Sequence, residues 1–322
     1  MEDLKGIYKP IEKHIKKIEE NVHKIWEDVL SLVNMEHTLA PKAKGKLIRP
    51  AICLLSAGAI GEKRLDKYIS MATAFEILHL ASLTHDDVVD DANLRRGGIT
   101  LNYLWSNHAA VLGGDYLVAR ALEIFRGYKN LDLLKIILKS IREMAEGELK
   151  FFNKKIEEYS AEDCLELSLR KTGMLFVCSA IGPTYIGNTQ YRKILYEYGK
   201  NVGIAFQIMD DLLDFTQNPK ELGKPSLSDI TENKITLPIL FLWKQSDEYE
   251  KKTLESKIGK KLTNKGRKEI YRLFKKYEIQ KQIMDFAKQL KDKAISAIKN
   301  IEDSKFKNSL IALAEFVIKR KN

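Results

Sequence analysis

The chain has 322 residues, of which 44% are hydrophobic and 30% are charged, a composition typical of a soluble globular protein with a sizeable core. Its net charge is +10, but acidic and basic residues are interleaved through much of the sequence. No compact basic motif contains aromatic residues, so nucleic acid is not an expected partner.

Cysteine usage and the N-terminal sequence both bear on the compartment. Cys53, Cys164 and Cys178 are widely spaced in apolar surroundings, which predicts buried free thiols rather than disulfides or a zinc site. The first residues contain no apolar signal core, and no apolar run of about 18 residues or more occurs. We therefore expect a cytoplasmic protein.

Apolar residues recur at helical spacing along most of the chain. The predicted helical segments are residues 4–33, 51–60, 66–91, 109–127, 131–153, 161–187 and 192–215, followed after residue 265 by charged amphipathic helices expected to be peripheral. No convincing strand alternation is present. The sequence predicts an all-α fold in which residues 1–322 form a single domain, one large helical bundle of about ten or more helices around a central apolar cavity.

Acidic residues are concentrated at the end of the segment that runs to residue 91. Asp86, Asp87 and Asp90 are spaced i, i+1 and i+4, which places Asp86 and Asp90 on one helical face with Asp87 beside them. Three adjacent carboxylates repel one another unless a cation neutralises them. A solvated acidic helix edge is the alternative for one such triplet.

A second triplet with the same spacing follows a second apolar helix. It consists of Asp210, Asp211 and Asp214. Both triplets stand at C-terminal helix ends, where the helix dipole favours cations over carboxylates. Oxygen-only ligands suit a hard ion such as Mg²⁺, which usually takes one or two carboxylates together with phosphate oxygens. The pair therefore predicts a metal–diphosphate site.

Basic residues occur in three short motifs outside these helices. Lys46 and Arg49 lie in GKLIRP and could contact one anion, the arginine through its bidentate fork. Arg170-Lys-Thr-Gly173 interrupts an apolar helix, and the loop from Gly223 to Pro238 contains two further lysines. His79, two turns before Asp86, is either a satisfied core histidine or part of the site.

Taken together, these motifs resemble those of the trans-type polyprenyl diphosphate synthases, in particular long-chain members such as octaprenyl diphosphate synthases. The motifs LTHDDVVDDANLRRG and GIAFQIMDDLLDF occur in the expected order with GKLIRP, RKTG and GKPSLSDITENKITLP. The resemblance covers residues 40–240 by motif. It implies an all-α fold of the isoprenoid synthase type and head-to-tail condensation of isopentenyl diphosphate with an allylic diphosphate such as farnesyl or geranylgeranyl diphosphate.

The resemblance also implies roles for matching residues. About two to three Mg²⁺ ions, or Mn²⁺, would be held by Asp86, Asp87, Asp90, Asp210, Asp211 and Asp214. The allylic diphosphate would be bound by Arg95, Lys171, Lys224 and Lys234, and isopentenyl diphosphate by Lys46, Arg49, His79 and Arg96. The catalytic group would comprise Asp86, Asp87, Lys171, Thr172, Gln207 and Asp210. A homodimer and at most transient membrane contact are further expectations.

Some positions depart from the family pattern. Lys44 and Leu47 stand where the first basic motif usually has glycine and arginine, while Leu227 and Asn233 occupy positions where glycine is common. We expect the pocket for isopentenyl diphosphate to be retained, because Lys46 and Arg49 are present. The two replaced glycines put the motion of the later loop in question.

Residues beneath the first triplet bear on product length. In this family, bulky residues four and five positions before the first aspartate stop short products, and here those positions hold Ser82 and Ala81. Phe75 lies about 16 Å below Asp86 along the helix and is a candidate partial floor, although a facing helix could set the limit instead. Because the residues just below the triplet are small and leave the cavity open, we expect a product of about C35 to C45, with octaprenyl as the central estimate, that serves as a quinone side chain.

Other functions remain open at this point. A short-chain geranylgeranyl or farnesyl diphosphate synthase, and a catalytic subunit of a two-component synthase, share the same motifs. A terpene cyclase would carry a mixed second metal motif, and a head-to-head synthase would lack the GKxxR and GKP loops. A non-catalytic regulatory subunit would have degenerate aspartates, whereas both triplets are intact here.

Overall fold

Helices account for nearly all of the ordered secondary structure. The computed structural model describes residues 4–32, 45–95, 98–216 and 226–319. The helices up to residue 151 are α1 (Leu4–Tyr8), α2 (Glu12–Leu32), α3 (Ile48–Ala59), α4 (Ile69–Val89), α5 (Leu101–Leu104), α6 (Asn107–Gly127) and α7 (Leu131–Phe151). A two-stranded antiparallel hairpin, β1 (Leu94–Arg95) and β2 (Gly98–Ile99), separates α4 from α5.

The second part of the chain continues the helical pattern. Its α-helices are α8 (Ala161–Ser168), α9 (Met174–Ile181), α10 (Arg192–Thr216), α11 (Ser228–Thr231), α12 (Leu237–Gln245), α13 (Glu248–Glu255), α14 (Asn264–Lys276), α15 (Ile279–Ala297) and α16 (Lys305–Lys319). A π-helix, Leu169–Gly173, joins α8 to α9. Short 3₁₀ turns cover Lys9–Ile11, Leu65–Tyr68, Ile156–Glu158, Gly182–Tyr185 and Thr189–Tyr191.

The predicted all-α class is confirmed, and the hairpin is the exception that the sequence did not reveal. Two-residue strands are too short to show side-chain alternation. The chain divides into two compact units. The first comprises Met1–Ser140, Leu175–Gly199 and Ile295–Leu313, and the second Ile141–Met174, Lys200–Ala294 and Ala314–Asn322. A single domain over residues 1–322 stays a prediction.

In the first unit, α3 and α4 form the buried centre. Every residue of α3 is buried, and so is the stretch of α4 from Met71 to Leu78. The hydroxyl of Tyr128 anchors the start of α4, since it donates to the carbonyl of Lys67 and accepts from the amide of Met71, both at 2.9 Å. It is therefore inserted between two groups that an uninterrupted helix would pair directly.

In the second unit, side-chain caps fix where several helices begin. Ser160 and Asp163 form a capping box at α8, Asp247 and Glu250 form another at α13, and Thr263 caps α14. Each cap satisfies amide groups that have no partner within the helix.

One expectation about the periphery is wrong. The C-terminal helix α16 is not peripheral, because Leu310 and Leu313 are completely buried and the Leu310 carbonyl accepts a hydrogen bond from Tyr198. The segment between α7 and α8 also contributes buried side chains, those of Ile156 and Tyr159. Among the described residues, no helix has the length and apolar character needed to cross a membrane.

Candidate active site

The first aspartate triplet lies at the C-terminal end of α4 in the first unit. Asp86 is half-buried, Asp87 is buried, and Asp90 forms the C-cap of the helix. The amide of Ala92 and the side chain of Asn102 both donate to the carbonyl of Asp87, at 2.9 and 3.2 Å. These donors satisfy the free helix end, so the carboxylates are held on a fixed backbone.

The segment after the triplet is held by residues that the sequence analysis did not single out. Thr100 donates to the carbonyl of Ala92 at 2.6 Å, and Asn102 donates to the same oxygen at 3.1 Å. Arg95 pairs with Gly98 across the hairpin. The side chain of Arg95 and the whole of Arg96 lie outside the described residues, so their predicted diphosphate contacts stay predictions.

Beneath the triplet, α4 carries the residues predicted to set product length. Ala81 is buried, and the Ser82 hydroxyl donates to the carbonyl of His79 at 2.9 Å rather than extending from the helix. His79 is half-buried on the same helix. Phe75 is fully buried, with its ring centroid 5.0 Å from that of Phe125. The side chains of α4 are therefore small at residues 81 and 82 and bulky at residue 75.

A glycine in α6, Gly114, leaves room for the ring of His85 beside the triplet. The ring of His85 lies 3.4 Å from the Asp115 carboxylate and 3.2 Å from the Val111 carbonyl. A Cβ atom at Gly114 would overlap that ring. Gly114 therefore allows α4 and α6 to approach closely where the aspartates begin, a constraint that spacing alone does not reveal.

The basic motif at the start of α3 also belongs to the first unit. Arg49 is buried, and its guanidinium carbon lies 4.8 Å from the centre of the Phe176 ring, within cation–π range. Lys46 is half-buried, and its carbonyl accepts a 2.7 Å hydrogen bond from the Tyr8 hydroxyl. Between them, Leu47 is the N-cap of α3 with a left-handed φ of 50°.

The second aspartate triplet lies on α10 in the second unit, and its members differ in surroundings. Asp210 is exposed, whereas Asp211 and Asp214 are buried. Both oxygens of Asp214 accept hydrogen bonds from the start of α11: Oδ1 from the Ser228 amide and hydroxyl at 3.1 and 2.8 Å, and Oδ2 from the Asp229 amide at 3.2 Å. Asp214 thus anchors the chain that follows the GKPS loop.

A hydrogen-bond chain links Asp211 to the π-helix. The amide nitrogen of Gln207 donates to Asp211 at 2.8 Å, and the amide oxygen of Gln207 accepts from the Thr172 hydroxyl at 2.5 Å. Because a carboxylate only accepts, Asp211 fixes which way the Gln207 amide points. The Thr172 hydroxyl therefore donates its proton to Gln207, and its oxygen can accept a hydrogen bond from another partner.

The π-helix places two cations against two glutamates of α7. Lys171 lies 2.6 Å from Glu148, and Arg170 lies 3.4 Å from Glu146 and 2.8 Å from Glu166. Single π turns occur frequently at functional sites. The π-helix thus coincides with the RKTG motif, which was predicted to belong to the site. Glu148, the partner of Lys171, was not predicted from the sequence.

The chain after α10 contains two of the lysines predicted to bind the allylic diphosphate, Lys224 and Lys234. Lys224 lies outside the described residues. Lys234 is half-buried, its ammonium is 2.8 Å from Glu232, and its amide donates to the Asp229 carbonyl. Leu227 and Asn233, which stand where glycine is common, both have left-handed backbones, with φ of 61° and 59°. The glycine-like conformation is therefore kept without the glycines.

The carboxylate oxygens of the two triplets are the ligands available for a metal ion. In the ranges that the structure describes, no three His, Cys, Asp or Glu residues form a group able to hold an ion by themselves. Oxygen-only ligands in small number fit Mg²⁺, which completes its shell with water and substrate phosphates. Asp86 and Asp210, the less buried members, fit that role better than Asp214.

Comparison with known proteins identifies the class. The model of the polyprenyl synthetase family matches residues 32–274. The octaprenyl diphosphate synthase of Haemophilus influenzae is 31% identical over 317 residues, which is 98% of this chain and 96% of the relative. The geranylgeranyl diphosphate synthase of Saccharolobus solfataricus is 37% identical over 294 residues, covering 87% of each chain.

Solved structures agree with this result. A polyprenyl synthase from Caulobacter crescentus, crystallised with calcium and isoprenyl diphosphate, matches with a TM-score of 0.91 at 28% identity, over 99% of this chain and 98% of that chain. The fold and the two aspartate-bearing helices therefore define an isoprenyl diphosphate synthase. The chain belongs to the polyprenyl synthetase family and is a prenyltransferase that acts on isoprenoid diphosphates.

Proposed function

We propose that this prenyltransferase condenses isopentenyl diphosphate with an allylic diphosphate, head-to-tail and all-trans, to a long-chain product. The single observation that carries the length is the small cross-section of α4 at Ala81 and Ser82, above the fully buried Phe75. Phe75, about 16 Å below Asp86 along the helix, would be at most a partial floor, and the open space at Ala81 and Ser82 suits a product of about C35 to C45, with octaprenyl the central estimate. A chain of that length is suited to quinone side chains.

The aspartates of each triplet would hold Mg²⁺, which when bound would supply positive charge near a departing diphosphate. Lys171 adds a cation to the same anion, and Arg49 and Lys46 bind isopentenyl diphosphate. Departure of the diphosphate leaves an allylic cation. The isopentenyl double bond attacks that cation, and the resulting cation loses a proton to the released diphosphate. No protein nucleophile is needed.

The oriented Thr172 contributes to the same step. Its hydroxyl proton is committed to Gln207, and Gln207 is itself fixed by Asp211. The remaining lone pairs of Thr172 can face a developing positive charge, since an acceptor oxygen stabilises a cation. Asp211 therefore acts through Gln207 as a positioning residue, in addition to its proposed part in metal binding.

Product analysis tests the proposal. The purified chain is incubated with farnesyl diphosphate, radiolabelled isopentenyl diphosphate and Mg²⁺, and the products are sized by chromatography. Products centred near C40 support it, whereas a single C15 or C20 product overturns the length. Turnover only after a second protein is added would identify a subunit of a two-component synthase.

A short-chain product is the second candidate, and a specific observation favours it. The Saccharolobus solfataricus relative that is 37% identical is named a geranylgeranyl diphosphate synthase, and it is more similar in sequence than the octaprenyl relative at 31%. The product assay described above distinguishes the two candidates. A single C20 product is the result expected of a short-chain synthase.

We also propose a cytoplasmic homodimer. The first unit exposes apolar side chains on the hairpin, α5 and the start of α6, where Leu94, Tyr103 and Leu112 are each more than half exposed. Exposed apolar residues that lie on consecutive elements are typical of subunit interfaces. Light scattering of the purified protein would give twice the chain mass of 36.9 kDa, and the monomer mass would contradict the proposal.

A further inference from the structure

Almost all of the net charge of this protein resides in a short part of the second unit. Residues 251–276 contain eleven Lys and Arg against two Glu, a net charge of +9 in a chain whose total is +10. The remaining residues are therefore close to neutral. Such a separation is not explained by a generally lysine-rich composition, which would spread the excess along the chain.

Helix α14 arranges part of this charge on one face. With about 100° per residue, Lys265, Lys268, Arg272, Lys275 and Lys276 fall within an arc of about 100°, and all five are exposed. The buried residues Gly266, Ile270, Leu273 and Phe274 occupy the opposite side. Exposed Lys260 and Lys261 precede the helix. These seven residues are called the basic face below.

Few carboxylates neutralise this surface. Glu269 lies 3.0 Å from Lys257, outside the basic face, and interacts only at longer range with Lys265 and Arg272. Glu255 accepts a hydrogen bond from the Trp243 indole. Glu250 is buried and binds Lys276 at 2.8 Å. In the described part of the chain, the other six cations of the basic face form no ion pair with a carboxylate.

The position of Lys265 is unfavourable for the helix itself. Lys265 lies in the first turn of α14, which contains no acidic residue. Cations at a helix N-terminus oppose the helix dipole, whereas Asp or Glu would stabilise that turn. Lys275 and Lys276 lie in the last turn, where the same dipole favours cations. Helix stability therefore accounts for those two lysines but not for Lys265, whereas attraction of an external anionic surface accounts for all three.

We propose that the basic face docks the protein on a lipid bilayer that carries anionic headgroups. The family acts on isoprenoid diphosphates, which combine an apolar tail with an anionic head. A bilayer offers both the charge that the basic face attracts and the apolar layer in which such tails dissolve. Nucleic acid offers only the charge. The proposal holds for any product length.

The experiment measures binding to phosphatidylcholine vesicles with and without about 30% phosphatidylglycerol. In one variant, Lys265, Lys268, Arg272 and Lys275 are replaced by Gln. A matched control replaces Lys16, Lys17, Lys288 and Lys319 by Gln, which lowers the net charge equally. These four are exposed lysines, each within 3.3 Å of a carboxylate. Turnover in vesicle-free solution verifies that both variants are folded.

The wild type is expected to bind anionic vesicles at about 0.1 M salt and to dissociate at about 1 M salt, because the Debye length falls from about 10 to 3 Å. A juxtamembrane cation contributes about fivefold in affinity. The basic-face variant is therefore expected to bind between about tenfold and a thousandfold more weakly, and the control variant within about threefold of wild type.

Four results would overturn the proposal. These are no binding of the wild type to anionic vesicles, equal binding to pure phosphatidylcholine, equal loss in both variants, or tighter binding to single-stranded RNA than to anionic vesicles at the same salt. The last result would identify a nucleic-acid surface. None of these outcomes depends on whether the chain makes a long or a short product.

Discussion

The hydroxyl of Tyr8 donates a 2.7 Å hydrogen bond to the main-chain carbonyl of Lys46. Burial, with a smaller contribution from Glu76, raises the pKa of Tyr8 far above its ordinary value, so the hydroxyl stays a neutral donor. Leu47, which follows the bonded carbonyl, has a left-handed backbone and begins the helix of Arg49. The first helix of the chain thus fixes the turn between two proposed ligands of isopentenyl diphosphate.

Replacing Tyr8 by Phe is expected to raise the KM for isopentenyl diphosphate about three- to tenfold, because a lost hydrogen bond of about 1 kcal/mol frees the Lys46 turn. The KM for the allylic substrate should change less than twofold. Steady-state kinetics with each substrate varied in turn measure both constants.

Tyr198→Phe is the matched control. Its hydroxyl also donates to a main-chain carbonyl at 2.7 Å, that of Leu310, and the side chain is fully buried. We expect it to lower the melting temperature by a similar amount without changing either KM. An equal rise in KM for isopentenyl diphosphate in both variants would show that Tyr8 acts only through general stability.

Asp214 is expected to matter for stability more than its neighbour Asp210. Asp214→Ala removes the acceptor for three donors at the start of α11 and leaves buried groups unpaired, at a cost of about 1–3 kcal/mol. Asp210→Ala, at an exposed position, should change stability by less than about 0.5 kcal/mol while lowering turnover. Thermal unfolding of the two variants tests this, and equal melting temperatures would refute the anchoring role.

The sequence predicted the helices and the residue types of the site because both are local properties. Helical spacing placed α4 and α10 to within a few residues, and the i, i+1, i+4 spacing found both triplets. The distinct roles of Asp210 and Asp214 were not predictable, since a partner such as Ser228 is fixed by how the chain folds back after an intervening loop. The same holds for Tyr8, which lies 38 residues from Lys46.

Residues on α4 offer a test of product length. Ala81→Phe should shorten the main product, because it puts a ring in place of a buried methyl group one turn below the aspartates. Phe75→Ala should lengthen the product, or leave it unchanged if Phe125 alone closes the space. Chromatographic sizing of the products measures both. An unchanged product with Ala81→Phe would remove residue 81 from the path of the growing chain.

Asn233 tests the backbone at a position where glycine is common in the family. Its left-handed φ of 59° is tolerated by Asn but opposed by β-branched side chains. Asn233→Gly should leave the free energy of unfolding unchanged or raise it slightly, whereas Asn233→Val should lower it by about 1–2 kcal/mol. Because Asn233 is exposed, lost packing would not explain such a difference. Denaturant titration of both variants measures it.

The buried Glu250 should make stability depend on pH in the acidic range. Hydrogen bonds from Lys276 and Tyr277, at 2.8 and 2.5 Å, hold the pKa of this carboxyl below its ordinary value. Because the folded-state pKa is lowered, the stabilisation is present above the unfolded value of about 4.3 and is lost as the pH falls through the folded value. Stability measured from pH 7 down to pH 3 should therefore decline more gently in Glu250→Gln than in wild type.

Glu248→Gln serves as the control for this pH effect, since Glu248 is 85% exposed and contacts only the neighbouring turn through Lys251. A well-exposed ion pair contributes little to stability, so this variant should keep the acid dependence of the wild type. If Glu250→Gln instead followed the wild-type curve through the whole range, the ion pair of Glu250 with the exposed Lys276 would not be the source of acid sensitivity. The lowered pKa of Glu250 would then have no consequence for folding.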